Sequence, residues 1–166
     1  MYSLFMQSRA WLERRPIRIL AVEPAPGVLE RLRFNVDASG AADIEVLPWA
    51  ATERREEVTL YLNTCNRGET SLLGVGAPVS VEGHSLWEIM EHAACPAIDA
   101  LKIDIEGAEL PTVRGLFEQG EPTLWPRLVV IEGESAGRNS AAIDYVLKHG
   151  YSLQARTHMN SILRRG

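Results

Sequence analysis

Residues 101–116 read LKIDIEGAELPTVRGL, an apolar run that breaks into an acid-rich turn and resumes as a helix. The apolar part predicts a buried strand, and Gly107 supplies a residue free to take positive φ in the turn. Pro111 falls in the first turn of the helix that follows, where its missing N–H costs little. Glu106 and Glu109 sit near that helix N-terminus, where the macrodipole favours negative charge by about 0.3–1 kcal/mol. Capping of this kind accounts for Glu109. It does not account for Asp104, which stands at the tip of the strand.

Outward from this block, short β-rich runs alternate with amphipathic helical stretches, a pattern of α/β layers around a largely parallel sheet. Towards the N-terminus, residues 3–15 predict a helix stopped by Pro16, and residues 17–22 a buried strand ending in Glu23-Pro24. Next come a helix with Leu29, Leu32 and Val36 on one face, closed by Gly40, and a strand over 44–47. Residues 57–63 alternate polar and apolar, as a half-exposed strand does. Residues 64–83, rich in Gly, Ser and Asn, predict a long lid or substrate loop with one short strand over 79–81. A helix over 85–92 and the strand over 100–105 lead into the central block, whose helix spans 108–119. Beyond it are a strand over 127–132 with an acidic tip, a helix capped by Asn139 or Ser140 and ended by Gly150, and an antiparallel pair, 151–156 and 160–164.

Composition narrows the function classes. A chain of 166 residues, 46% hydrophobic and 23% charged, is one domain with a sizeable core, read here as a single domain over 1–166. A net charge of -5 gives no basic face for a nucleic acid. No apolar run approaches the roughly 20 residues of a membrane helix, and Arg9, Glu13, Arg14 and Arg15 break up any secretory leader. Cys65 and Cys95 stand apart, as reduced thiols do, so a cytoplasmic protein is expected. The four histidines show no metal spacing.

Three predicted strands end in acids: Glu23, Asp104 and Glu132. Each alone could solvate a strand end or cap a helix. Ligands of open α/β sheets bind beyond the carboxyl ends of the strands, so three acids at one rim point to a site for hydroxyls or a cationic group. A Rossmann-like nucleotide site sets a ribose-binding acid about 20 residues after a glycine motif. Counted back from Glu23, that motif falls at or before Met1, and the first glycine is Gly27.

The central block resembles the signature of FkbM-family methyltransferases. VEPAPGVLERLRFNV (22–36) is similar to the family's second strand and helix, and LPWAATERREEVTLYLN (47–63) to its third strand and hairpin. HSLWEIM (84–90) stands where the family has a Thr-Leu-Asp-Glu-Leu type helix start, with Trp87 in place of the usual acid. LVVIEGE, HGY and SILRRG match the last strands more loosely. The family's first strand and DxGAxxG-like loop have no counterpart in the chain, so the expectation is that coding sequence upstream of Met1 supplies them.

The resemblance implies a class I, Rossmann-like methyltransferase sheet, mostly parallel with a C-terminal antiparallel pair and lacking its first strand. It implies S-adenosylmethionine as cofactor, with Glu23 and Pro24 at its ribose and Ala50 and Ala51 at its adenine edge. Methyl transfer to a hydroxyl of a small molecule, sugar or lipid would then use Asp104 to orient the acceptor or take its proton, Glu106 shaping the same pocket. Asp104 would also reach the cofactor's methionine amine. No metal is demanded, although Asp104 and Glu132 offer oxygen ligands. A sheet without its central strand is expected to be marginally stable or to self-associate through the exposed edge. Two alternatives remain at this point: a non-catalytic remnant or interaction module of the same fold, and an NAD-dependent oxidoreductase, which Glu23 would serve equally well.

Overall fold

The computed structural model describes residues 16–62, 70–71, 76–105, 107–132 and 140–166. The predicted helix over 3–15 and the side chain of Glu106 lie outside them. The chain divides into two compact units, one of Met1–Ala50 with Glu57–Glu82 and one of Ala51–Glu56 with Gly83–Gly166.

In the first unit, strand β1 (Ile19–Val22) pairs in parallel with β2 (Ile44–Leu47), in the register Ile19↔Ile44 to Val22↔Leu47. Helix α1 (Pro26–Ser39) connects them. Pro26 occupies its first turn, and Gly40 ends it at φ 65°, the left-handed conformation that lets its N–H reach Asp37 O and Val36 O. Val36 of the helix meets Ala21, Ala41 and Ile44 in a small core, with Ile19, Leu32 and Val46 packed against it.

A sheet of order β3-β6-β4-β5 follows, made of β3 (Ala50–Thr52), β4 (Glu56–Leu62), β5 (Thr70–Ser71) and β6 (Ala77–Ser85). The nine residues of β6 replace the short strand expected over 79–81 with a longer one, while residues 64–69 and 72–75 of the expected loop lie outside the described residues. Val79 and Val81 alternate with more exposed neighbours, residues 83–85 are all buried, and Ser80 donates a hydrogen bond to Glu57 of β4. Period-two burial and pairing to β4 outweigh the low strand propensity of Pro78 and Gly83.

The second unit is built on a sheet of order β7-β8-β10-β9: β7 (Ala100–Ile103), β8 (Leu128–Glu132), β9 (Tyr151–Arg156) and β10 (Asn160–Arg165). β7 and β8 are parallel; β10 is antiparallel to both β8 and β9, so the C-terminal antiparallel pair forms as expected. Helices α2 (Leu86–His92), α3 (Glu109–Gln119) and α4 (Ser140–Lys148) belong to this unit; α3 packs on the other two. The core is Val113, Leu116, Val129, Ile131, Val146 and Leu163, all fully buried. The described strands fall in three hydrogen-bonded sheets, and two of these contain a parallel pair, β1-β2 and β7-β8.

Two local features fix α2. Ser85 Oγ accepts from the Glu88 N–H at 3.3 Å, and Glu88 Oε2 accepts from the Ser85 N–H at 2.9 Å, a reciprocal capping box on a serine that is 1% exposed. Ser85→Ala should lower stability by about 0.5–2 kcal/mol, read as a shift in urea midpoint without a change in slope. On the same helix, Trp87 donates its indole N–H to Leu116 O at 2.8 Å, and its ring covers Gly120 so closely that a Cβ there would fall inside the indole.

Candidate functional site

Parallel pairing sets Ile103 opposite Ile131, so the next residues along these strands, Asp104 and Glu132, emerge together at neighbouring carboxyl ends. Their carboxyl groups are hydrogen-bonded to each other. Lys102 Nζ donates to Asp104 Oδ2 at 3.1 Å from two residues earlier on the same strand. Burial pushes the Asp104 carboxyl up. The hydrogen bond with Glu132, the one from Lys102 and the lysine's charge outweigh it and hold Asp104 below its ordinary 3.8. Near neutrality this corner is an ionised aspartate, half exposed and held from two sides.

The turn after Asp104 is tied down by Glu109. That side chain is 2% exposed, in the first turn of α3. Its Oε1 accepts the Ile105 N–H at 3.3 Å and its Oε2 the Gly107 N–H at 2.9 Å. Gly107 has φ 102°, which a side chain would strain.

In the first unit, β1 runs out at Glu23, whose N–H still continues the ladder to Leu47 O at 3.0 Å. Glu23 Oε1 accepts the Ala25 N–H at 2.9 Å across Pro24, so the carboxylate is turned over the entrance to α1. Burial raises the Glu23 carboxyl above its ordinary 4.5, and the bond from Ala25 opposes this only in part.

The structure thus brings Asp104 and Glu132 together and places Glu23 and Pro24 at the other parallel strand end. Ala50 and Ala51 form the start of β3. Ala50 is buried, and Ala51 O accepts the Thr112 hydroxyl of α3 at 3.0 Å. Glu106 lies outside the described residues. Sequence reasoning missed Lys102 and gave Glu109 only a dipole role. Both carried a signal: Lys102 is the one charge inside the strand and, at two residues' spacing, shares a face with Asp104. Among the described residues, no group of three or more His, Cys, Asp or Glu could hold a metal ion, and no helix is long and apolar enough to cross a membrane.

Relatives share this arrangement of elements. A crystal structure of methyltransferase FkbM from Methylobacillus flagellatus KT superposes with a TM-score of 0.55 at 18% sequence identity, over 89% of this chain and 36% of that one. The present chain therefore spans about a third of the length of that relative. No curated protein matches the sequence. Residues 5–153 match the methyltransferase FkbM domain, which takes in β1 to β8, both acid-tipped parallel pairs and the EGAE turn: the chain belongs to the FkbM methyltransferase family.

Proposed function

We propose that this chain serves S-adenosylmethionine-dependent transfer of a methyl group to a hydroxyl of a small molecule, sugar or lipid. The observation that carries the proposal is the ionised Asp104 at a strand carboxyl end, held by Lys102 and hydrogen-bonded to Glu132, inside the block that marks the family. The cofactor, when bound, supplies an electrophilic methyl on a sulfonium, so the protein needs chiefly to align and desolvate the partners.

The residues present fit that cofactor. Glu23 is a half-buried acid at a parallel strand end; Oε1 meets Ala25, and Oε2 would accept from ribose hydroxyls. Ala50 and Ala51 would offer small apolar contact to the adenine, and Glu106 would line the acceptor side. Asp104 suits orientation of the acceptor hydroxyl better than removal of its proton. A base works best with a pKa near the operating pH, and Asp104 is held below the ordinary carboxylate value. As an acceptor of the hydroxyl proton in a hydrogen bond, it would point an oxygen lone pair along the line of transfer.

Calorimetric titration with S-adenosylmethionine, and with NAD beside it, tests the reading on this chain and on any in-frame extension upstream of Met1. Heat with S-adenosylmethionine alone is expected; NAD binding in its place, or neither ligand binding to either form, overturns it. Glu23→Ala should weaken cofactor binding at least about tenfold, since hydrogen bonds to a charged group contribute about 1.5–3 kcal/mol. The pH dependence follows from the raised Glu23 carboxyl. Ribose hydroxyls bind its charged form, so affinity should climb as pH rises through that raised value and level off above it. Glu23→Gln should flatten the climb. An equal climb in that variant would assign it to another group.

A further inference from the structure

We infer that Glu109 is a positioning residue for Asp104, acting by holding the backbone of the intervening turn with both oxygens of its buried side chain. Its significance for catalysis rests on the methyl-transfer reading; the arrangement itself does not, and it is tested separately.

The position offers this carboxyl group little water, with 2% of the residue exposed. Each oxygen meets a backbone donor: Oε1 the N–H of Ile105, Oε2 the N–H of Gly107. The Ile105 N–H belongs to the peptide unit that leaves Asp104, so fixing it fixes the direction in which Asp104 departs from β7. The Gly107 N–H sits on the residue at φ 102°, and fixing it stabilises the reversal that returns the chain to α3. Between them, the two bonds tie the end of a strand to the first turn of a helix whose face is buried through Thr112, Val113 and Leu116. Asp104 itself is held at its side chain by Lys102 from β7 and Glu132 from β8. Glu109 does not touch substrate in this reading; it sets where those contacts can form. Dipole complementarity alone would place an exposed acid at the helix start, and would not require burial or both oxygens.

Glutamine is the discriminating substitution, because it matches glutamate in size but carries one acceptor oxygen and an amide NH₂. If Glu109 only fills space, Glu109→Gln is silent. If it holds the turn, one of the two backbone donors faces an NH₂ group and loses its acceptor. Amide exchange by NMR should then speed up at Ile105 or Gly107 by at least about tenfold, the loss of one hydrogen bond to a charged group. The Asp104 side-chain carbon, depressed in the parent chain, should titrate closer to its ordinary value as the bonds from Lys102 and Glu132 loosen. Glu23 should titrate as before. Unchanged exchange and unchanged Asp104 titration in Glu109→Gln overturn the inference. Should that variant fail to fold, the parent chain suffices: Ile105 and Gly107 amides that exchange as fast as exposed ones refute it, and protected amides support it. Neither readout uses methyl transfer, so loss of the functional reading would leave this result standing.

Discussion

Asp104→Asn is expected to slow methyl transfer by about 10²-fold or more while leaving the melting curve nearly unchanged. Asparagine keeps the size and one acceptor oxygen but removes the charge that Lys102 now meets at 3.1 Å. Its NH₂ can turn towards Glu132 and push the remaining oxygen off the line an acceptor hydroxyl needs. The stability cost should be small because Asp104 is half exposed and its bond with Lys102 is a surface ion pair, a class contributing about 0–1 kcal/mol. Tritiated methyl incorporation from S-adenosylmethionine into a metabolite extract, compared between parent and variant, gives the rate; calorimetry gives cofactor affinity for the same protein. A rate loss with retained affinity supports orientation of the acceptor. Equal falls in both place Asp104 on the cofactor's methionine amine. A parental rate would remove Asp104 from the chemistry and leave Glu132 as the acid to test.

The second large effect is structural. Leu116→Ala should destabilise the protein by about 2–5 kcal/mol, the range for truncating a fully buried leucine that leaves a cavity. Leu116 is 0% exposed, and Val113, Phe117, Val129 and Ile131 of the same unit are themselves buried. Its carbonyl holds the Trp87 indole, and that bond survives the substitution, so the loss reports side-chain packing alone. Urea unfolding should show a lower midpoint at constant slope. A loss under about 1 kcal/mol would show that the α3 seat collapses around the gap.

How much of this was legible follows from which physical cause fixed each part. The acid at the end of a hydrophobic run is a local feature, and Glu23, Asp104 and Glu132 could be found from it; all three stand at strand ends in the structure. That Asp104 and Glu132 are neighbours depends on the β7-β8 register, which no local pattern encodes. β3 was missed because three residues, Ala-Ala-Thr, give no alternation to detect. β6 was read as mostly loop because Pro78 and Gly83 mask the Val79–Val81 alternation, and pairing to β4 is non-local. Glu109 was legible as an acid at a helix start. Its burial and its two backbone partners depend on how the turn folds back over it.

The indole of Trp87 lying over Gly120 imposes an order on how these two positions can diverge. A lineage that first replaces Gly120 must pass through an intermediate with a side chain driven into the ring. One that first shrinks Trp87 opens a gap and loses the bond to Leu116 O, a loss that a later residue at 120 could partly refill. The first route requires the indole to shift out of the way, and the second costs the bond and the packing it provided. Trp87 therefore acts as a gatekeeper of history: a smaller residue at this place in α2 is the expected condition for a side chain just beyond α3.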